Sequence, residues 1–206
     1  MLKVLLYCCK AKPYLYKTHF VKVEDVVKGI NDKFIYEVDN HERTYLNGEQ
    51  RPFLNGKIVA ECDFEVEEIK LLEDSNATMI TNTLSEEELL KKSCLEGYEL
   101  CNYLYDNLWC GQKGYAIHIK NLHIFDEPKE LSDFNKIIET TYGEEPDETI
   151  TKAPQNMMRC CYEKKPKEWE IEVLISIKPE ELCRILNGEQ TILINKKVLK
   201  CMKGKM

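Results

Sequence analysis

The chain carries lysines, a carboxylate, a histidine, an amide and hydroxyls whose positions could line one small cleft. Ser176 and Lys178 alternate onto one face of a strand, and Lys10 and Lys12 follow the first strand. Glu61 points away from the apolar side of its strand, together with Val59. His118 lies on the strand face opposite Tyr115, and Gln155 directly follows Pro154. A cleft holding Lys178, Glu61 and His118 would combine a positive charge, a proton acceptor and a titratable imidazole. Each of the three also has a plain structural reading. Lys178 can be an exposed residue leading into a helix, Glu61 a solvated or ion-paired strand residue, and His118 an ordinary sheet-surface histidine. Tyr14, Tyr16 and Trp109 could stack on a base or anchor the core and loops.

Composition narrows the chemistry. The 206 residues suit one domain, or one with insertions, and 43 % are hydrophobic, enough for a normal core. The net charge is -7 and uneven: residues 1–60 sum to +3, 61–99 to -9, 100–150 to -6 and 151–206 to +5. An acidic total disfavours wide nonspecific nucleic-acid binding, while a local basic groove made by the two ends stays open. The ten cysteines contain no CxxC, and Cys94, Cys101 and Cys110 lack close ligand spacing. They read as small buried hydrophobes, with no metal and no cofactor expected. Met1–Lys10 has too short an apolar run for a signal peptide, so reduced thiols in a cytoplasmic protein are expected. No window has membrane-spanning length.

The elements that must position these groups follow from periodicity. Lys3–Cys9 reads as a strand buried on both faces. Residues 20–55 are polar, with turn signals at Asn47-Gly48 and Asn55-Gly56, and read as a loop insertion with a short hairpin at Lys33–Val38. The stretch 56–66 alternates as a strand, placing Ile58, Ala60, Cys62, Phe64 and Val66 on one face. Glu65, Glu67 and Glu68 look like its solvated continuation. Ser85 and Glu88 spell a capping box, with Leu84 and Leu89 as the hydrophobic staple. A second helix is expected over Glu96–Tyr105, a loop at Trp109–Gly114 and a strand at Tyr115–Phe125. Residues 139–152 read as an acidic surface loop, and Ala153–Tyr162 returns as a strand after Pro154. Val173–Asn195 reads as strand, helix, glycine turn and strand, with Pro179 in the first helical turn and Leu182, Ile185 and Leu186 buried. Residues 200–206 are expected to be loose. The segments favour an α+β fold: a small curled mixed sheet or β-barrel with two or three short helices.

Several segments together resemble the ASCH domains of the PUA-like superfamily, of the small type found in bacteriophages and bacteria. They are Val4–Tyr16, Leu54–Asp63, Gly114–Leu122, Phe125–Phe134, Ala153-Pro-Gln155 and Leu174-Ile-Ser-Ile-Lys-Pro-Glu180. In such domains the Ile-Ser-Ile-Lys-Pro segment normally comes first; here it comes last. The chain therefore resembles a circular permutant, with residues 1–162 as the main body, 163–168 as the joining linker and 169–206 completing the same domain. Exchange of that last unit between two chains is the alternative, so a monomer or a swapped dimer is expected.

The resemblance implies a cleft for nucleic acid or a modified nucleoside. Some ASCH proteins resemble amidohydrolases acting on acylated cytidine. Their sites use a lysine after the helix-ending glycine, a nearby threonine and a carboxylate, which can activate water and relay a proton. Here the motif reads Gly188-Glu-Gln-Thr-Ile-Leu-Ile-Asn195. Gln190 stands at the lysine position, Leu193 where an acid is expected and Asn195 where an arginine is expected; Thr191 is retained. The leading expectation is binding of RNA, single-stranded nucleic acid or a nucleotide-like ligand without catalysis. A hydrolase would need Lys178 or Lys10 to replace the missing lysine. A phage or mobile-element protein that binds a host protein through its acidic segments is the third reading.

Overall fold

The structure is a computed structural model, and it describes residues 2–9, 14–15, 22–30, 33–40, 56–72, 78–141, 143–162 and 170–203. Lys10, Lys12, Tyr16 and the linker 163–168 lie outside the described residues. The fold is α+β. Its strands are β1 (Lys3–Cys8), β2 (Tyr14–Leu15), β3 (Lys22–Ile30), β4 (Lys33–Asn40), β5 (Ile58–Leu71), β6 (Met79–Ile80), β7 (Gly114–Lys129), β8 (Phe134–Thr140), β9 (Gly143–Thr149), β10 (Met157–Tyr162), β11 (Glu172–Ile177) and β12 (Ile192–Asn195). The helices among the described residues are α1 (Glu86–Ser93), α2 (Gly97–Trp109), α3 (Pro179–Leu186) and the single turn α4 (Lys200–Lys203), with a 3-10 turn at Leu131–Asp133. Strand pairing runs β12-β7-β5-β1-β11-β10-β8-β9, with β6 on β5, giving an open nine-stranded sheet. The described strands thus form no closed barrel, and the described residues hold four helices, where the sequence led to two or three. None of the described helices is long and apolar enough to cross a membrane.

The chain packs as two compact units. Residues 1–62 and 123–187 form the first, residues 63–122 and 188–206 the second.

In the first unit β1 is central. It pairs in parallel with β11, from Lys3 with Glu172 to Cys8 with Ile177, and antiparallel with β5. Val4 to Cys8 are all buried, the continuous apolar run expected of a strand covered on both faces. The β1–β5 register shifts between Leu6 and Tyr7, so Ile58 pairs with Tyr7 while Ala60 pairs with Leu6. That bulge turns Ile58 away from the face it would share with Ala60 and Cys62 under strict alternation. Ile58 joins Leu5, Tyr7, Phe134, Ile150, Cys160 and Leu174 in one core. Residues 139–152 are not a loop: most of the stretch is strand, because β8 and β9 pair as a hairpin with Thr140 opposite Gly143. The acidic side chains that suggested a loop lie along an exposed β9. In the polar insertion β3 and β4 pair over their whole length, so Lys33–Val38 is one arm of a longer hairpin. Helix α3 starts with Pro179 at its first turn and buries Leu182, Cys183, Ile185 and Leu186.

The second unit is organised by α1 and α2. Ser85 accepts from the Glu88 backbone and Glu88 reaches back, closing the capping box. Leu84 and Leu89 are buried with Ile69, Met79, Leu100, Leu104, Ala116 and Ile192. Gly114 lies tight against this core, since a Cβ there would meet Leu104 Cδ1 at 3.1 Å. α2 runs four residues beyond the expected Tyr105, to Trp109. The C-terminal tail is tied down as far as α4, where Met202 is fully buried.

Candidate functional site

The sequence-predicted residues divide between the two units. Glu61, Gln155, Ser176 and Lys178 fall in the first unit, His118 and Thr191 in the second.

In the first unit Glu61 Oε1 takes the Lys3 ammonium at 2.6 Å and lies 3.6 Å from His123 Nδ1. Glu172, opposite Lys3 in the parallel pair, shares this face. Burial, and then the charge of Glu61, push its carboxyl up to about 7, with Lys129 and Lys3 opposing. Ser176 donates to the Pro154 carbonyl at 2.7 Å, which brings Ser176 beside the loop that carries Gln155. Lys178 is the exposed N-cap residue of α3. It shares the carboxyl ends of β1 and β11 with Cys9, whose thiol is pushed up by burial and then by Glu181, while Ser176 and Lys178 oppose. Glu61 faces Leu5, whereas Lys178 follows Ile177, the partner of Cys8. The offset is four residues, about 13 Å along the strands, with buried Leu5 and Leu174 in the way. Glu61 and Lys178 therefore do not meet.

In the second unit His118 Nε2 lies 3.1 Å from Glu67 Oε1, but out of line for a hydrogen bond. Burial lowers the His118 pKa, with Glu67 and Glu65 opposing. Burial raises the Glu67 carboxyl, but hydrogen bonds from Thr81 and Thr83, together with His118, outweigh it and hold the group below its ordinary value. Glu67 and Glu68 are thus half-buried and paired, rather than solvated. Thr191 is exposed at the start of β12; its amide donates to Lys92 O and its carbonyl accepts from Ile119 N. Gln190 is 2 % exposed and donates from Nε2 to Ile192 O at 2.9 Å. Leu193 and Asn195 are buried as well. The positions that would carry charge in the resembling motif are here part of the packed interior.

The second unit also holds a cavity of about 280 Å³, lined by β5 on one side and by the end of α2 on the other. Its walls are Ile69, Leu71, Leu108 and Trp109; its polar groups are Glu68, Lys70, Gln112 and Lys113. Local structure explains the shape. Trp109 sits one turn after Tyr105 on α2, and the rings stack at 5.8 Å and 15°. Helix α2 is capped at its C-terminus by Cys110, and Gly111 takes φ +73°, a left-handed turn that a side chain would resist. Asn107 Nδ2 then clamps Lys113 O at 2.7 Å. Lys113 pairs with Glu68, whose hydrogen bond holds the ammonium pKa up. Trp109 is left 66 % exposed although its ring orientation is braced. This arrangement can stack a planar ring on the indole and offer its edge an amide, an ammonium and a carboxylate.

Sequence reasoning singled out Trp109 but not Glu68, Gln112 or Lys113. The missed signal was helical spacing: with α2 ended at Tyr105, Tyr105 and Trp109 could not be seen as an i, i+4 pair. Glu68 joins because β5 loses its alternation at Glu67 and Glu68, both half-buried, before Ile69 is buried again. Among the described residues no group of three or more His, Cys, Asp and Glu side chains is placed to hold a metal ion. Comparison of the chain with protein-family models, curated proteins and solved structures returns no match.

Proposed function

We propose that the protein binds a nucleotide-like ligand or single-stranded nucleic acid such as RNA, with Trp109 as the stacking platform. The observation that carries this reading is the exposed indole, braced by Tyr105 at the mouth of the cavity. An exposed aromatic face already held in place loses little freedom when a base stacks on it, and such stacking contributes about 1–3 kcal/mol per base. Gln112, Lys113 and Glu68 supply donors and acceptors for a base edge. The net charge of -7 makes phosphate contacts the lesser part, so binding should weaken only shallowly with salt. The segments that resemble an ASCH domain support the same ligand class. The burial of Gln190, Leu193 and Asn195 favours binding without catalysis. On this reading the protein works in the cytoplasm of a bacterium or of a phage-infected host.

One observation favours a second reading, hydrolysis of an acylated cytidine. Glu172 is half-buried opposite Lys3, on the face it shares with Glu61, and burial pushes its carboxyl up to about 7, the range suited to general acid–base work.

The test titrates cytidine and adenosine monophosphates, a single-stranded RNA decamer and its duplex against wild type and Trp109→Ala at two salt concentrations, with release of acid from acylcytidine followed in parallel. Single-strand or nucleotide binding that falls about tenfold in Trp109→Ala supports the proposal. Equal binding by both proteins would refute it, and turnover abolished by Glu172→Gln would establish the second reading.

A further inference from the structure

The first unit holds a cluster that ligand stacking at Trp109 does not use. The Lys129 ammonium lies 3.9 Å from the centroid of Phe125, 5.3 Å from that of Tyr162 and 6.0 Å from that of Phe134. Phe134 and Tyr162 face each other across β8 and β10 and meet edge-on at 5.3 Å, so the rear of the cluster is rigid. Phe134 is 1 % exposed and closes the back. Phe125 and Tyr162 are half-buried and form the sides. Phe125 is held by an edge contact with His123 at 5.6 Å. Glu172 stands opposite Cys160, two residues before Tyr162 on the same face of the sheet, so one carboxyl shares the face that carries the Tyr162 and Phe134 rings.

We infer that Phe125, Tyr162 and Phe134, with Glu172, form a cage for an alkylammonium ligand, and that Lys129 of the same chain occupies it in this structure. Aromatic faces attract a cation through their quadrupoles, and most strongly where water is excluded. Glu172, on the sheet face shared with Cys160 and Tyr162, adds negative charge once ionised, a form that Lys129 already favours. A tethered lysine is a weak competitor of this kind. It spends four rotatable bonds to keep its head in place and presents a strongly hydrated ammonium. A quaternary ammonium, with methyl groups against all three rings, fits the cage better. Lys129 therefore acts as a built-in plug that a ligand must displace.

The experiment titrates tetramethylammonium against wild type, Lys129→Ala and Lys129→Gln, following the Phe125 and Tyr162 ring resonances by NMR. Neutral tert-butanol serves as the uncharged counterpart. Spermidine and a peptide carrying trimethyllysine are run alongside to tell a polyamine from a protein side chain. Binding of tetramethylammonium about tenfold tighter to either Lys129 variant than to wild type is expected. That gain should disappear when Phe125→Ala is added. A gain for spermidine or for the peptide supports the site and identifies the source of the ammonium. Equal affinity of wild type and both variants for every probe, or an equal gain for tert-butanol, overturns the inference. The Gln variant keeps a long polar side chain, so the test stands even if the Ala variant folds poorly.

Discussion

Replacing Glu172 with glutamine should remove a loss of stability that this protein suffers as pH rises toward neutral. Glu172 pairs with Lys3 on one side and Cys160 on the other, and faces the charge of Glu61. Burial is the main reason that its carboxyl holds a proton up to about 7, against an ordinary 4.5. The sign follows from proton counting. Between pH 4.5 and 7 the folded state keeps a proton that the unfolded chain has released, so stability falls as pH rises through that window. The interval corresponds to about 3 kcal/mol, lost in full above pH 7. Glutamine keeps the size and the hydrogen-bonding reach of the neutral acid but cannot ionise. Glu172→Gln should match wild type near pH 4.5 and exceed it by up to about 3 kcal/mol at pH 8. Urea denaturation at pH 5, 6, 7 and 8, under reducing conditions, measures the difference directly. Parallel curves for the two proteins, or a glutamine variant less stable at pH 8, would refute the reasoning. The second outcome would mean that the ionised carboxylate is paired well enough to outweigh its desolvation.

Three further outcomes follow from local geometry. Ser85→Ala removes the side chain that caps α1 and should cost about 1 kcal/mol in the same denaturation assay. Gly114→Ala forces a methyl to within 3.1 Å of Leu104 in the core of the second unit, and should cost about 1–3 kcal/mol; Leu104→Val in the same chain should recover part of it. Alkylation with iodoacetamide, mapped by mass spectrometry, should reach exposed Cys110 first. Buried Cys8, whose thiol is pushed up to about 12, and buried Cys160, pushed up as well, should react only on unfolding.

Some features were legible because their cause is local. The capping box at Ser85 and Glu88, Pro179 in the first turn of α3 and the unbroken apolar run of β1 each depend on a few neighbouring residues. The sequence therefore determined them without reference to the rest of the chain. The α+β class follows from the same local patterns. Other features depend on partners far away in sequence. Acidic β9 is a strand because β8 offers it hydrogen bonds, and nothing in Gly143–Thr149 signals that pairing. The bulge opposite Leu6 and Tyr7 turns Ile58 over, although the local alternation places it with Ala60. For the candidate sites the contrast is sharper. Trp109 was visible as an aromatic residue, but the cavity beside it exists only because β5 brings Glu68 and Leu71 to the end of α2. Glu172 was an unremarked glutamate before a strand. Parallel pairing with β1, and burial beside Glu61, give it a proton that is lost near neutrality. Periodicity reports which way a side chain points within its own element. The tertiary structure decides what it meets there, because desolvation and charge coupling are set by neighbours that the chain order does not reveal.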